Sequence, residues 1–324
     1  MLKIDHLSAS YKTIDSNVHV VNDVDFEIND NEIFGIAGES GCGKSTLLKT
    51  LYDIVEFPLE IDKGKVVLSG NKNGKRFYFE SGEIRKCWWN QISYVSQAAQ
   101  SVLNPIVRLK KQFLDSIPKE DRKNEKPEET LKRVGQYLEV LGLSPDVLDA
   151  FPFQLSGGMR QRVIIALATF MAPNVVLADE PTTALDVVVQ RGILMMLMQL
   201  QKHYKSTLVL VSHDMGVHYQ ITDRMGIMYS GSFVELGKTK DIFENPIHPY
   251  TKMLIGALPK VGDRTPKVGI AGRPPSLKNP PPGCRFAPRC PHATEQCRSE
   301  VPVFEEIMPG RYAACHLLKK GGNQ

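Results

Sequence analysis

The chain has 324 residues, about twice the usual domain size, and this length predicts two domains or one large domain with an appendage. Hydrophobic residues make up 42% of the sequence, charged residues 23% and aromatic residues 8%, which excludes a disordered or fibrous chain. The net charge of +4 is too small to indicate nucleic-acid binding, and no apolar run approaches the roughly 20 residues that span a bilayer. The first twelve residues lack the apolar core of a signal peptide, so we expect a cytosolic protein.

Strands and helices alternate along the chain after a strand-rich start. Residues 2–28 alternate apolar and polar positions around a polar break at 10–17, a pattern typical of short strands joined by a turn. Later apolar runs predict strands at Ile33–Ala37, 64–70, 91–96, 175–178, Thr207–Val211 and 225–236, and helices around Leu47 to Leu51, within 103–172 and over 187–204. This order predicts a parallel α/β core with an added antiparallel β layer and a helical subdomain at about 98–172.

A glycine-rich loop follows the predicted strand at Ile33–Ala37. Residues 38–46 read Gly-Glu-Ser-Gly-Cys-Gly-Lys-Ser-Thr and fit the phosphate-loop pattern G-x-x-x-x-G-K-[ST] between a strand and a helix. Backbone N–H groups of such a loop bind phosphate oxygens, Lys44 would reach the β- and γ-phosphates, and Ser45 would bind Mg²⁺. A plain glycine-rich turn with a solvated lysine is the alternative. We expect the whole loop to bind a nucleotide: Gly38, Glu39, Ser40, Gly41, Cys42, Gly43, Lys44, Ser45 and Thr46.

Two carboxylates stand at the end of the apolar run 175–178. Asp179 and Glu180 follow Val-Val-Leu-Ala, so a buried strand would deliver them to one edge of a parallel sheet. An aspartate at this place completes the Mg²⁺ shell of phosphate-loop proteins, and the next glutamate would polarise the attacking water. An exposed acidic strand end is the alternative. The loop and the acidic strand together predict a nucleotide site.

The sequence before Asp179 resembles the signature of ATP-binding-cassette (ABC) ATPases. Residues 155–162 read Leu-Ser-Gly-Gly-Met-Arg-Gln-Arg, although Ser-Gly-Gly alone would also fit an ordinary helix N-cap. Other elements match the family in order: Tyr11 resembles the aromatic that stacks on adenine, Gln97 the Q-loop glutamine, Ala184-Leu185-Asp186 the D-loop, and His213 the switch histidine. The resemblance covers essentially the whole chain.

This resemblance implies an ATPase that uses ATP and Mg²⁺. It also implies a head-to-tail dimer, in which each ATP lies between the phosphate loop of one subunit and the signature helix of the other. The resemblance gives nucleotide contacts to Ser156, Gly157, Gly158 and Gln161. It gives Mg²⁺ binding to Ser45, Gln97 and Asp179, and catalytic roles to Glu180, His213 and Gln97.

The sequence after about Glu244 is similar to the C-terminal extension of peptide- and nickel-importer ATPases. His-Pro-Tyr-Thr at 248–251 starts the likeness, and further matching motifs lie at 272–277, 281–284, 286–291 and 314–317. The length of the extension resembles the dipeptide and oligopeptide branch. Ala98-Ala99 departs from the acidic residue that this subfamily usually carries after the Q-loop glutamine. We therefore expect an ATPase domain at 1–244 and a proline-rich extension with little regular structure at 245–324.

The subfamily resemblance implies a subunit that energises the import of di- or oligopeptides at the cytoplasmic face of the membrane. Its partners would be a second, paralogous ATPase subunit, two membrane permease subunits and, indirectly, an extracytoplasmic peptide-binding protein. No nucleic acid is expected. An importer of nickel or an oligosaccharide is one alternative, since the ATPase does not touch the cargo. A non-transport ABC ATPase is the other, but about 110 residues between the phosphate loop and the signature leave no room for the coiled coils of repair members.

Four of the six cysteines, Cys284, Cys290, Cys297 and Cys315, lie within 32 residues of the extension. Disulfides are disfavoured because the cytosol keeps thiols reduced. Structural zinc sites usually show tighter cysteine pairs than the C-x5-C-x6-C-x17-C spacing found here. Loose spacing, a proline after Cys290 and the subfamily resemblance favour a structural [4Fe–4S] cluster, with Zn²⁺ or no metal as the alternatives.

Overall fold

The structure, a computed structural model, describes residues 1–14, 16–72, 74–97, 102–119, 121–123, 125–183, 185–259 and 269–318. The chain forms two compact units. The helical unit comprises Met1, Asn29–Glu32 and Leu68–Leu210, and the phosphate-loop unit comprises Leu2–Ile28, Ile33–Val67 and Val211–Gln324.

The elements follow one another as the sequence pattern predicts, with additions. The strands are β1 (Leu2–Lys12), β2 (Asn17–Ile28), β3 (Ile33–Ala37), β4 (Leu59–Lys72), β5 (Lys75–Glu80), β6 (Ile92–Val95), β7 (Val175–Asp179), β8 (Thr207–Val211), β9 (Arg224–Tyr229), β10 (Ser232–Lys238), β11 (Glu305–Met308) and β12 (Arg311–Ala313). The helices are α1 (Lys44–Leu51), α2 (Leu109–Ser116), α3 (Pro127–Val140), α4 (Gly157–Thr169), α5 (Val187–Tyr204), α6 (Met215–Ile221), α7 (Thr239–Glu244), α8 (Pro249–Gly256) and α9 (Glu295–Ser299).

The phosphate-loop unit contains a mixed sheet with the strand order β11-β12-β10-β9-β3. β3 and β9 run parallel, with Ile36 opposite Gly226, and β10 pairs antiparallel with β9 and with β12. All five residues of β3 are buried, as expected for a strand covered on both faces. The antiparallel pair of β1 and β2, from Leu2 opposite Ile28 to Lys12 opposite Asn17, forms the predicted antiparallel β layer.

Three aromatic rings pack together in the core of the phosphate-loop unit. The ring centroids of Tyr229 and Tyr250 are 4.6 Å apart, and Phe286 lies 5.2 Å from Tyr229 and 5.4 Å from Tyr250. All three side chains are at most 1% exposed. Burial of such a ring stabilises a fold by about 1.5–3 kcal/mol, so the residues after 244 contribute to the core of this unit.

The segment after Glu244 is more regular than the sequence predicted. It contains α8, α9, β11, β12 and a 3₁₀ turn at Ala287–Arg289. The proline-rich composition misled the prediction because Pro249 occupies the first turn of α8, where no backbone N–H is needed. β12 also gains its place by pairing with β10, and that long-range contact leaves no local pattern in the sequence.

The helical unit carries the acidic strand and the helices α2, α3, α4 and α5. β6 and β7 run parallel, with Tyr94 opposite Leu177, in the strand order β8-β7-β6. Within the predicted helical stretch, Tyr137 of α3 bonds to the Thr169 hydroxyl at 2.7 Å, and Phe170 packs on the rings of Tyr137 and Phe113. These contacts join α2, α3 and the end of α4 into one helical layer.

Across the described ranges, none of the helices combines the length and the apolar character needed to cross a membrane.

Candidate functional site

The phosphate loop of the phosphate-loop unit connects β3 to α1. Gly38, Gly41 and Gly43 adopt φ values of 151°, 78° and 107°, in the left-handed region that favours glycine. A Cβ atom at Gly38 would lie 2.1 Å from the carbonyl oxygen of Met228, and one at Gly43 would lie 2.4 Å from that of Val20. The loop is therefore tightly seated against its own unit, and these two glycine positions exclude a side chain.

Lys44 begins α1 with its side chain buried. Its Nζ donates hydrogen bonds to the carbonyl oxygens of Gly38 at 2.8 Å and Glu39 at 2.9 Å. The ammonium group is thus held over the loop, where helix N-terminus and lysine charge together favour a bound anion. Cys42 is also buried, and burial raises the pKa of its thiol. Cys42 therefore serves as a neutral filler of the loop.

Tyr11 lies beside the first turn of α1. Its hydroxyl is 3.3 Å from the hydroxyl of Thr46, which is the residue that ends the phosphate-loop motif. Tyr11 is partly exposed and stands near the end of β1. The structure thus brings this predicted adenine-binding aromatic next to the phosphate loop.

The end of β8 leads into the segment that contains His213. His213 is exposed, and Asp214 caps α6 by accepting a hydrogen bond from the Gly216 N–H at 2.8 Å. Behind this segment, Nε2 of fully buried His218 is 3.0 Å from the Ser212 carbonyl oxygen. Burial lowers the pKa of His218 to about 4, so the ring is neutral and Nε2–H donates to Ser212. His218 therefore fixes the backbone immediately before His213.

The acidic strand of the helical unit, β7, ends at Asp179, and Glu180 follows it. The hydroxyl of Tyr94 on β6 donates to Oδ2 of Asp179 at 3.0 Å, and Asp179 is 3% exposed. Burial raises the pKa of Tyr94, and the negative charge of Asp179 raises it further. The phenol therefore remains protonated and positions one oxygen of this carboxylate.

Glu180 is held by two donors from its own unit. Its Oε2 accepts hydrogen bonds from the Thr183 hydroxyl at 2.7 Å and from Nε2 of Gln97 at 3.2 Å. Glu180 itself has a left-handed φ of 47°, a conformation that costs about 1–3 kcal/mol for a non-glycine residue. The structure thus brings Gln97 and Glu180 together, and it adds Thr183, which the sequence interpretation missed.

The predicted signature lies at the N-terminus of α4. Ser156 is the N-cap, and its Oγ accepts from the Met159 N–H at 3.3 Å. A Cβ atom at Gly158 would lie 2.8 Å from Cγ1 of Val189 on α5, so glycine permits close packing there. Gln161 is 4% exposed, and its Nε2 has no hydrogen-bond partner among the residues that the structure describes. Ser156 is exposed, and Gln161 lies inside the unit.

Two predicted motifs lie partly outside the described residues. In the D-loop motif, Ala184 lies outside the described residues, whereas Leu185 and Asp186 are described. Asp186 caps α5 by accepting hydrogen bonds from the N–H groups of Val188 and Val189. In the Q-loop region, positions 98–101 after Gln97 lie outside the described residues.

The four cysteines of the C-terminal segment are free thiols in the phosphate-loop unit. Burial raises the pKa of the Cys284 and Cys290 thiols, and it raises that of Cys315 to about 11. Within the described part of the chain, no three His, Cys, Asp or Glu side chains are grouped so as to hold a metal ion. The structure therefore does not support the expected metal or iron–sulfur centre.

The functional residues that sequence reasoning missed are polar side chains behind the motifs. Tyr94 and His218 are such residues, and so is Arg289, which contacts the phosphate loop through Glu39. The sequence carried little signal for Tyr94 and His218, since Tyr94 neighbours Ser93 and His218 neighbours Tyr219 and Gln220. Their partners are not deducible from the sequence because they depend on tertiary contacts.

Comparison with protein families gives two matches along the chain. Residues 21–183 match the model described as ABC transporter. Residues 234–297 match the model described as oligopeptide/dipeptide transporter, C-terminal region. The first match lies within the predicted ATPase domain, and the second runs from β10 into the C-terminal segment.

Similar proteins of known name are transport ATP-binding proteins. The chain is 37% identical to the dipeptide transport ATP-binding protein DppD of Caldanaerobacter subterraneus, over 99% of this chain and 98% of that protein. It is 35% identical to the oligopeptide transport ATP-binding protein OppD of Escherichia coli, over 97% and 92% of the two chains.

Among solved structures, a dimeric structure of the bacterial ABC transporter cassette MJ0796 aligns with a TM-score of 0.60 and 26% identity. It covers 74% of this chain and 99% of that one. The same cassette bound to ADP and phosphate, in a post-hydrolysis state, aligns with a TM-score of 0.59 and 26% identity, over 74% and 99% of the two chains. These neighbours confirm the predicted phosphate-loop ATPase fold with its mixed sheet.

Proposed function

Because the chain belongs to the ABC transporter family, and within it to the ATP-binding proteins of dipeptide and oligopeptide transport, we propose that it hydrolyses ATP to energise the import of di- or oligopeptides. The observation that carries this proposal is the phosphate loop between β3 and α1. Its left-handed glycines, buried Lys44 and helix N-terminus suit the phosphates of ATP. The relatives and the matched C-terminal region support peptides as the cargo.

We assign the residues of the candidate site the roles that the family resemblance implies. Tyr11 would stack on adenine, and the 38–46 loop would bind the phosphates. Glu180 would polarise the attacking water, and its contacts with Gln97 and Thr183 support this role because they fix the carboxylate. His213 would contact the γ-phosphate. The signature residues Ser156, Gly157 and Gly158 would contact the nucleotide of a partner subunit, whereas Gln161, at 4% exposed, is too buried to do so directly.

Mg²⁺ is the metal ion expected with the nucleotide. Ser45, Gln97 and Asp179 offer a hydroxyl, an amide and a carboxylate oxygen, and these are ligand types that Mg²⁺ accepts. When bound, Mg²⁺ would neutralise charge on the phosphates. The hydrogen bond from Tyr94 supports a positioning of Asp179 that does not depend on the ion.

A head-to-tail dimer is the proposed working form. Its support is the dimeric structure of the related cassette MJ0796 and an exposed apolar pair at the start of α5. Val187 and Val188 are 80% and 81% exposed, and large apolar side chains at adjacent positions are typical of a surface that a partner covers. By the subfamily resemblance the partner is a paralogous ATPase subunit.

We propose that the chain acts as a peripheral protein at the cytoplasmic face of the membrane, with two permease subunits. The helical stretch at about 98–172 would receive their cytoplasmic loops. Exposed Ile106 and Phe153, at 81% and 68%, support a contact surface on this stretch. An extracytoplasmic peptide-binding protein would act with the same assembly, without touching this chain.

The functional division of the chain remains our proposal, with ATPase residues at 1–244 and an extension at 245–324. Within the extension we propose a structural [4Fe–4S] cluster on Cys284, Cys290, Cys297 and Cys315, with Zn²⁺ as the alternative. The proposal rests on the sequence pattern alone, which places four cysteines within 32 residues and a proline after Cys290. Anaerobic purification with iron, zinc and sulfide assays tests it, and stoichiometric zinc without sulfide would exclude the cluster.

The function is tested by uptake of a labelled dipeptide in cells that lack this protein and redundant importers. The cells are complemented with the wild-type chain, with Glu180→Gln or with Glu83→Gln, an exposed glutamate paired with Lys86. We expect wild type and Glu83→Gln to restore uptake and Glu180→Gln to fail, since it binds ATP without turnover.

Equal uptake in all strains would contradict peptide import. Uptake of nickel or of an oligosaccharide would then be measured in the same strains, because those cargoes are the first alternative. Wild-type protein that hydrolyses ATP but affects no uptake would favour the non-transport alternative.

A further inference from the structure

An arginine of the C-terminal segment forms an ion pair with a residue of the phosphate loop. Arg289 ends the 3₁₀ turn Ala287–Arg289, and its guanidinium contacts both carboxylate oxygens of Glu39. Nη1 donates to Oε2 at 2.8 Å, and Nη2 donates to Oε1 at 3.0 Å. The Arg289 side chain is 4% exposed and that of Glu39 is 25% exposed. Glu39 is the second residue of the phosphate-loop motif, so this ion pair ties the segment directly to the loop.

All five N–H groups of the Arg289 guanidinium have acceptors. Beyond the two bonds to Glu39, Nη1 donates to the Tyr229 hydroxyl at 3.2 Å, Nε to the Ala271 carbonyl oxygen at 2.9 Å, and Nη2 to the Ile270 carbonyl oxygen at 3.1 Å. A guanidinium has five donors in a fixed planar arrangement, which a lysine cannot reproduce. The surroundings are therefore built for an arginine at this position.

The backbone of Glu39 is held as well as its side chain. Its N–H donates to the hydroxyl of fully buried Tyr250 at 3.1 Å, and its carbonyl oxygen accepts from Nζ of Lys44 at 2.9 Å. Burial raises the pKa of Tyr250, so the phenol stays neutral. Tyr250 and Arg289 both follow residue 244, so two side chains of the C-terminal segment fasten one residue of the loop.

The charge of Glu39 makes this pairing consequential for a nucleotide. A carboxylate in a loop that binds phosphates would repel a polyanion, and the repulsion is strong where water is partly excluded. A buried, bidentate arginine cancels that charge and limits the motion of the side chain. We propose that Arg289 is a positioning residue for ATP binding, which neutralises Glu39 and makes the C-terminal segment part of the phosphate site. This inference rests on the proposed ATPase function.

The test compares Arg289→Gln, Glu39→Gln and the double variant in the full-length chain. The affinity for a fluorescent ATP analogue with Mg²⁺ is measured at low and at high salt. We expect Arg289→Gln to weaken binding about tenfold, because a carboxylate is left unpaired beside the phosphates. The double variant should regain most of the loss, since it carries no carboxylate. High salt should shrink the defect of the single variant by screening.

Arg298→Gln is the matched control, because Arg298 is an exposed arginine of the same segment paired with exposed Glu295. Its affinity should equal that of the wild type. A double variant that binds more weakly than Arg289→Gln would overturn the proposal, as would an unchanged affinity in Arg289→Gln. Wild-type protein that fails to bind ATP would count against the proposed function instead.

Two milder variants decide the matter if Arg289→Gln does not fold, as judged by its melting temperature. Arg289→Lys keeps the positive charge, and Glu39→Gln removes the negative one. We expect Arg289→Lys to lose less than about tenfold in affinity, since the charge of Glu39 stays paired although the five-donor arrangement is lost. Glu39→Gln should not weaken binding more strongly at low salt than at high salt, since no carboxylate remains to repel the phosphates. A loss of tenfold or more in Arg289→Lys would show that neutralising Glu39 is not what supports ATP binding and would overturn the proposal, as would a Glu39→Gln defect that is larger at low salt than at high salt.

Discussion

At the residue scale, Tyr94 illustrates how a side chain outside the recognised motifs supports one inside them. Its phenol donates to Oδ2 of Asp179, and the carboxylate is 3% exposed. A hydrogen bond to a charged group contributes about 1.5–3 kcal/mol, more than one between neutral groups. The orientation of this buried carboxylate therefore depends on Tyr94.

We predict that Tyr94→Phe raises the Mg²⁺ concentration for half-maximal ATPase activity about tenfold, which corresponds to about 1.4 kcal/mol. The reason is that Asp179 loses the donor that fixes one of its oxygens. The measurement is ATPase rate against Mg²⁺ at saturating ATP. Tyr78→Phe is the control, since Tyr78 is exposed and its hydroxyl donates to Glu80. An unchanged Mg²⁺ dependence in Tyr94→Phe would mean that Tyr94 only fills space.

His218 is a second supporting residue, and Gly35 makes room for it. A Cβ atom at position 35 would lie 2.5 Å from Nδ1 of His218. The ring is fully buried and neutral, and its Nε2–H holds the Ser212 carbonyl. Burial lowers its pKa from the ordinary value of 6.5 to about 4. The folded state thus binds a proton at His218 less readily than the unfolded state does.

The sign of the resulting pH dependence follows from that difference. The neutral His218 ring contributes fully to the free energy of unfolding above pH 6.5. This contribution is lost as the pH falls from 6.5 towards 4, at about 1 kcal/mol per pH unit. Buried His248, whose pKa burial lowers to about 3, acts in the same direction. We predict that the free energy of unfolding of His218→Gln falls less steeply between pH 7 and pH 5 than that of the wild type.

Urea unfolding at pH 7, 6 and 5 checks this prediction. His6→Gln is the control, because His6 is exposed and its hydrogen bond to Asp23 raises its pKa. Protonated His6 favours the folded state at low pH, so the His6→Gln variant should not show a shallower dependence of the free energy of unfolding on pH. Parallel curves for the wild type and His218→Gln would contradict a neutral, buried His218.

At the element scale, the sequence predicted the fully buried strands and long helices best. β3 and β8 lie at the predicted residues, and α5 covers the predicted 187–204. Such strands are continuous apolar runs, and a helix of that length carries its own periodicity. β5 was missed because its residues are half-buried or exposed, so the alternation is weak. The local hydrophobic pattern of the sequence therefore predicts where buried strands and helices lie, but it predicts exposed strands such as β5 poorly.

The C-terminal strands were also missed, because a buried ion pair far apart in sequence stabilises them. Arg311 on β12 and Glu235 on β10 are 76 positions apart, and both are at most 7% exposed in their side chains. The Glu235 carboxylate also accepts from the N–H groups of Ile247 and His248, at 3.0 and 2.9 Å. A charged residue in a sequence is normally predicted to lie on the surface, so the buried hydrogen-bond network around Glu235 was not predictable.

We predict that Arg311→Gln lowers the free energy of unfolding by about 3–5 kcal/mol, because it leaves the Glu235 carboxylate buried without its cation. Urea unfolding at neutral pH measures the change. Arg298→Gln, which removes an exposed arginine of the same segment, should cost less than about 1 kcal/mol. Equal losses in the two variants would show that the buried pair has no special weight.

At the scale of the whole molecule, sequence motifs proposed the residues that would meet a ligand, and the structure added side chains that hold some of them in place. Gln97, Asp179 and Glu180 were predicted because their residue types and order match a known chemistry. Thr183 and Arg289 were not, since a hydroxyl or a guanidinium becomes informative only when its partner is known. The supporting contacts are set by tertiary structure, which the pattern of one sequence does not contain.

The exposed pair Val187 and Val188 sets the last prediction, because an isolated chain would leave both in water. We propose that a second ATPase subunit covers them when ATP is bound.

An aspartate in such a contact costs desolvation energy without a partner for its charge. We therefore predict that Val188→Asp lowers ATP hydrolysis by the assembled transporter about tenfold or more. Binding of a fluorescent ATP analogue to the isolated chain should stay within about twofold of the wild type, since the phosphate loop is untouched. Val301→Asp is the control, because Val301 in the C-terminal segment is 66% exposed and lies outside both proposed contact surfaces. Hydrolysis at the wild-type rate in Val188→Asp, or an equal loss in Val301→Asp, would exclude the start of α5 from the subunit contact.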